Sequence, residues 1–177
     1  RRVLFRSNLR RIVMRNLINN TLTVYHGGNE IVTNPEIRIG RYTKDFFWGF
    51  YCTLLSEQAE RWALRNTLNS VVSVYSCTIS DKLNVKQFEK MSDEWLDFVV
   101  MCRNGGSHGY DLVEGPMVED TIYKYVQDFL EGRISRNAFW KLVKIRYPTH
   151  QISVHTARAL ACLTYERSYS LRWNQNK

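Results

Sequence analysis

The side chains best suited to chemistry here are few. The chain has four histidines, His26, His108, His150 and His155, and four cysteines, Cys52, Cys77, Cys102 and Cys162. His26 follows the β-branched run Thr21-Leu22-Thr23-Val24-Tyr25 and precedes Gly27-Gly28. Two glycines there allow a turn or the close approach of a ligand to the backbone. His108 lies in the glycine-rich stretch Asn104–Gly109 and reads as an ordinary loop residue. His150 and His155 flank Gln151–Val154. A metal centre needs several ligands brought close together, often at helical spacing. These histidines do not show that pattern, so no metal is expected. The cysteines are far apart, without a CxxC pair, and read as reduced, partly buried thiols of a cytoplasmic protein. None stands in an obviously activating context for nucleophilic catalysis. The phosphate-binding patterns GxxxxGK[ST] and GxGxxG are absent.

The richest stretch is Asp45-Phe46-Phe47-Trp48-Gly49-Phe50-Tyr51-Cys52-Thr53, followed by Leu54–Ala63. It passes from a loop through Gly49 into a short aromatic strand and then a helix. Ser56 is the expected N-cap, with Glu57 and Glu60 in the first turn. Leu55, Ala59, Trp62, Ala63 and Asn66 repeat at helical spacing. Tyr51 and Trp62 therefore have two readings: core aromatics, or a clamp on a planar heteroaromatic ligand.

These residues must be positioned by the rest of the chain. The β-branched run from Thr21 predicts a strand ending at His26. Residues 29–45 read as a loop, in which Arg38, Arg41 and Lys44 are either solvated or contact phosphate. Val71–Ile79 predicts a strand and Leu83–Phe88 another. Ser92 caps a helix reaching Cys102, with Trp95, Phe98, Val99 and Cys102 on one face. Tyr110–Val113 predicts a short strand. Thr121–Leu130 predicts a helix stopped by Gly132, and Ser135 caps the next, which Pro148 closes. Gln151–Val154 is a strand, His155–Cys162 a short helix or turn, and Leu163–Leu171 a last β-rich segment. The order is α+β rather than a strict βαβ alternation.

The length suits one domain. No segment approaches the ~18 apolar residues of a membrane helix, and no secretory signal is read at the N-terminus. The net charge of +8 is concentrated: residues 1–13 hold five arginines and no acid, leaving 8 − 5 = +3 for residues 14–177. A basic tail weakens the case for a nucleic-acid-binding face. Arg1–Ser7 also matches the translation of a common sequencing-adapter end. Residues 1–13 are therefore read as an artefactual or disordered basic tail, with Met14 as the natural start and 14–177 as the domain.

Taken in order, several motifs resemble a bacterial ADP-ribosyltransferase-like family of uncharacterised function, in the histidine–tyrosine–[Glu/Asp/Gln] branch of the ADP-ribosyltransferase superfamily. They are Val24-Tyr25-His26-Gly27, Asp45-Phe46 with Gly49-Phe50-Tyr51-Cys52-Thr53, and Glu57-Gln58-Ala59-Glu60-Arg61-Trp62-Ala63. Tyr110–Pro116 with Asp120, and Thr149–Thr156, follow. The match spans about residues 22–168.

The resemblance implies a fold of two small mixed or antiparallel sheets forming an NAD cleft, with flanking helices. It implies NAD as substrate, no metal, and transfer of ADP-ribose to a macromolecular acceptor, protein or nucleic acid, as in a toxin or effector with a small antitoxin-like partner. By position, His26 would bond a ribose hydroxyl and Gly27 the nicotinamide carboxamide. Tyr51 would stack on the nicotinamide with Trp62 as the second aromatic, and Gln151 would occupy the third catalytic position. Gln151 departs from the commonest residue there, a glutamate, and Phe47 stands where the family commonly has glycine. Both departures fit the alternative of a catalytically weak or inactive NAD- or ADP-ribose-binding module.

Overall fold

Val71–Thr78 (VVSVYSCT) has the β-branched content that favours a pleated, buried strand. It forms β3, the central strand of an antiparallel three-stranded sheet, between β1 (Thr21–Gly28) and β7 (Leu163–Ser170). The computed structural model describes residues 21–40, 44–65, 69–118, 120–143 and 149–171, with the backbone alone at 120 and 121. The expectations for residues 1–13, Arg41, Asn66 and Pro148 lie outside the described residues. A second sheet has four strands in the order β2 (Phe50–Cys52), β6 (Gln151–Val154), β5 (Leu112–Gly115) and β4 (Val85–Gln87). Among the described residues only β4 and β5 run parallel. With its flanking helices this is an α+β chain built on two small sheets.

The helices are α1 (Ser56–Ala63), α2 (Asp93–Arg103), α3 (Asp120–Leu130), α4 (Arg136–Leu142) and α5 (Ala157–Leu160). Ser92, Ser135 and Thr156 cap their helices, each accepting from the backbone N–H three residues on. Ser56 does not cap α1. It is the first helical residue, Leu55 is the N-cap, and the Thr53 hydroxyl accepts from Leu55 N at 3.1 Å.

Strand alternation gives the second sheet two buried faces. Phe50, Cys52, Ile152, Val154 and Leu112 pack against Leu22, Val24, Tyr75 and Cys77 of the first sheet. Val113 and Tyr51 turn the other way, toward Phe46, Phe88, Trp95, Val99, Ile122 and Phe139. The outer face of the first sheet is covered by α1, through Ala59 and Ala63 against Val72 and Val74. Trp62 was expected on that inward face and is instead 41% exposed; Gln58 occupies the buried slot. β5 starts two residues later than expected, because Asp111 is spent pinning the sheet. Its buried carboxylate accepts from Asn84 N, Thr156 Oγ1 and Arg158.

The first strand does not stop at His26. It continues through Gly28, with Gly27 opposite Val72. What approaches Gly27 so closely is α1: a Cβ there would lie 2.0 Å from Ala59 O and 3.1 Å from Ala63 N. At Gly28 the nearest atom would be His26 Nε2 at 3.5 Å, an ordinary contact. Gly27→Ala is therefore expected to cost about 1–3 kcal/mol of unfolding free energy by forcing helix and strand apart. Gly28→Ala should stay within about 0.5 kcal/mol. Urea denaturation of the two variants checks this, and equal effects would contradict the packing argument.

No helix among the described residues is long and apolar enough to cross a membrane.

Candidate functional site

Among the described residues the two sheets share one ladder step. Tyr25 N donates to Thr53 O at 2.8 Å, and Thr53 N to Tyr25 O at 2.9 Å. Both backbone groups of Tyr25 thus point from β1 toward β2. By the two-residue period of a strand, the N–H and C=O of Gly27 point the same way. They meet the seam beyond the bridge, where β1 and β2 no longer pair. The His26 ring partly fills that gap. It stacks on Phe50 with centroids 4.6 Å apart, and Nδ1 lies 2.7 Å from Tyr51 O. A carbonyl only accepts, so Nδ1 carries the proton. Burial lowers the pKa of His26 below its ordinary value. The ring is then neutral at pH 7, and Nε2 is left as an acceptor suited to a hydroxyl.

The loop entering β2 is held by its carbonyls. His108 Nε2 lies 3.1 Å from Phe46 O, with Tyr110 N donating to Nδ1 and so fixing the tautomer. The Tyr51 hydroxyl donates to Phe47 O at 2.6 Å and accepts from Phe46 N at 3.1 Å. His155 Nδ1 lies 2.9 Å from Trp48 O, and its Nε2 is 2.8 Å from the Ser153 hydroxyl. Burial lowers the pKa of His108, and that of His155 to about 4. Gly49 is required, since a Cβ there would lie 2.7 Å from Val154 O. Phe47 has φ 74°, the left-handed region that a bulky side chain rarely adopts.

Tyr51 pairs with Ser153 across β2 and β6, so Gln151, two residues along, emerges on the same face as Tyr51. Gln151 is buried, and its Nε2 lies 3.1 Å from both Asp45 Oδ2 and Pro116 O. Asp45 is buried too. Its Oδ1 accepts from Arg103 Nη2 at 2.5 Å and Nε at 3.2 Å, and its Oδ2 from Val118 N at 2.8 Å. Glu114 projects from the opposite face. Its Oε1 lies 2.7 Å from His150 Nε2, and its Oε2 is buried without a hydrogen bond. Gln58 brackets the His150 backbone, donating to its carbonyl at 2.6 Å and accepting from its N–H at 3.0 Å.

His26, Gly27, Tyr51 and Gln151 therefore lie along one connected path: ring to carbonyl, hydroxyl to loop, loop carboxylate to amide. Trp62 stands apart. The Arg65 guanidinium covers its ring at 4.1 Å, and no ring contact joins it to Tyr51. The Lys44 ammonium lies 4.6 Å over the Tyr51 ring, and Arg38 pairs with Glu30. Burial pushes the thiols of Cys52, Cys77 and Cys102 upward, the last two to about 12, which leaves them unreactive. Sequence reading missed Asp45 as a hub, and read His108 as an ordinary loop residue. Neither carries a local signal, because their partners are distant in the chain.

Two predictions follow from the loop. Glycine normally stabilises less than alanine, but a left-handed φ reverses the order. Phe47→Gly should be more stable than Phe47→Ala by about 1 kcal/mol, as read by urea or thermal denaturation. His26, His108 and His155 set the second. Their folded pKa values lie below the unfolded 6.5, so their stabilisation is complete above that pH. Stability should then fall as pH drops from about 6.5 toward 4, by up to about 1.4 kcal/mol per pH unit for each histidine. His155→Asn keeps a donor for Trp48 but does not titrate, so it should flatten the lower part of that slope. Melting temperatures across the range test this.

No curated protein matches the chain. The profile of one protein family matches residues 22–165, most of the chain and all four histidines, the aromatic loop and Gln151. On that match the chain belongs to the family described as protein of unknown function (DUF3990).

Proposed function

We propose that this protein is an NAD-dependent ADP-ribosyltransferase, with the two sheets arranged as an ADP-ribosyltransferase-like fold around the seam at Tyr25–Thr53. The observation that carries the reading is what meets at that seam. The Gly27 backbone directs a donor and an acceptor there, the complement of a carboxamide. His26 Nε2 adds a neutral acceptor for a ribose hydroxyl. The half-buried Tyr51 ring, turned to the other face of β2, would supply an aromatic surface beside the seam. Lys44 lies over that ring and would yield to, or flank, a bound nicotinamide. Trp62 becomes the second wall of a clamp only if its ring leaves Arg65.

The reaction would break the bond between C1″ of the ribose and the nicotinamide nitrogen, with the electron pair leaving on nicotinamide. A nucleophile on a macromolecular acceptor then bonds C1″ and loses its proton. Positioning and oriented dipoles do most of the work in such a dissociative step. The seam is built for that, because its groups are fixed by the fold rather than recruited by ligand. A toxin or effector role, with a small antitoxin-like partner, goes with this reading.

A non-catalytic NAD- or ADP-ribose-binding module is the second reading. The observation favouring it is the neutral amide at position 151, whose nitrogen is already committed. Calorimetric NAD binding and nicotinamide release separate the two, comparing the wild type with His26→Ala and Tyr51→Ala. The wild type is expected to bind NAD, release nicotinamide and label an acceptor in lysate. Each variant should lose at least ~10-fold in release, or about 1.4 kcal/mol of transition-state stabilisation. Binding without release supports the module, and absence of binding overturns both readings.

A further inference from the structure

A glutamine amide can be turned either way, and its neighbours decide which. At Gln151 both neighbours, Asp45 Oδ2 and Pro116 O, can only accept, and both lie 3.1 Å from Nε2. The reversed amide would set Oε1 against two acceptors inside a buried site, where unmatched polar groups are costly. Asp45 cannot swing away to relieve such a clash. Arg103 holds Oδ1 through two donors, and Val118 N holds Oδ2. The orientation of the amide is thus set by a carboxylate that is itself fixed on both oxygens.

Resting on the reading above, we infer that Asp45 is the positioning residue that makes Gln151 a hydrogen-bond acceptor for a ribose hydroxyl. It holds Nε2 so that Oε1 is the group offered to ligand. An N–H donated to a carboxylate also polarises the amide and raises electron density on its oxygen. The negative charge that position 151 lacks therefore stands one hydrogen bond behind it, on Asp45, shared with Arg103. Gln151 would touch the substrate, whereas Asp45 acts through it.

One consequence runs against a simple comparison of residue types. If position 151 were only waiting for a carboxylate, Gln151→Glu would raise activity. Here the new carboxyl would face Asp45 and Pro116 O with no donor to give, so the variant should lose activity. Asp45→Asn reverses the charge relation, and in the double variant Asp45→Asn/Gln151→Glu an amide at 45 can donate to the carboxylate at 151. The Arg103 guanidinium stays beside the pair.

The test measures nicotinamide release from NAD for the four proteins, with melting temperatures to confirm folding. Gln151→Glu and Asp45→Asn are each expected to fall at least ~10-fold, equivalent to about 1.4 kcal/mol, and the double variant to recover part of that loss. Such rescue would not come from a merely structural role for Asp45. Wild-type or greater release by Gln151→Glu, or losses that simply add in the double variant, would overturn the inference. Should the variants not fold, solvent exchange of the Gln151 side-chain amide protons in the wild type decides. Those protons should stay protected when NAD is added, and their loss of protection would mean that ligand displaces Asp45. A wild type that binds NAD without turnover is read the same way in NAD affinity. A wild type that does not bind NAD at all removes the underlying reading and this inference with it.

Discussion

The ladder step between Tyr25 and Thr53 is the constraint on which the site depends. Beyond it the two sheets part: residues 46–49 precede β2, and the side of β2 that faces β1 has no further ladder to satisfy it. Buried carbonyls must nevertheless be bonded. Side chains from separate elements do this: His108 for Phe46, Tyr51 for Phe47, His155 for Trp48 and His26 for Tyr51. Histidine suits the task because a neutral ring carries one donor and one acceptor. It can serve a carbonyl on one side and receive an N–H or hydroxyl on the other, as His108 and His155 do.

The same wiring explains the distribution of charge. Rings held neutral by burial put no charge into the seam, so the buried charges lie behind it. Asp45 with Arg103 on one face of the second sheet, and Asp111 with Thr156 and Arg158 at its end, tie loops and helices to strands. Burial alone would raise the Asp111 carboxyl, but Arg158, Thr156 and the Asn84 amide hold it at about 2. A buried ion pair such as Asp45–Arg103 is a costly way to gain stability, since desolvation offsets most of its attraction. What these pairs provide is direction, because each carboxylate oxygen has its own donor. The Phe47 backbone shows the same priority of geometry over comfort: a residue in left-handed conformation is kept where its carbonyl can meet the Tyr51 hydroxyl.

Much of the framework is legible from local sequence. The β-branched run at Val71–Thr78 and the serine caps at 92 and 135 identify their elements without help from the rest of the chain. Phe47 stands out through the resemblance, in which glycine is common at that position, and not through a local signal; its left-handed φ is seen only in the fold. Gly27 was legible as a close approach but not as to what approaches. Helix α1, 32 residues away at Ala59, is the neighbour that a side chain there would meet. Helical spacing likewise put Trp62 on the buried face of α1, and packing on a glycine-bearing strand put it outside.

The sequence by itself determined the α+β order of elements, the residue types of the seam and the neutrality of position 151. Only the tertiary structure decided that His26 is neutral with Nε2 as acceptor, that Tyr51 and Gln151 share a face, and that Asp45 stands behind Gln151 across a separation of 106 residues. The physical reason is the range of the interactions. Caps and strand patterns are settled within a few residues, whereas a tautomer, an amide orientation or a buried charge is settled by whichever partner the fold brings within hydrogen-bonding distance.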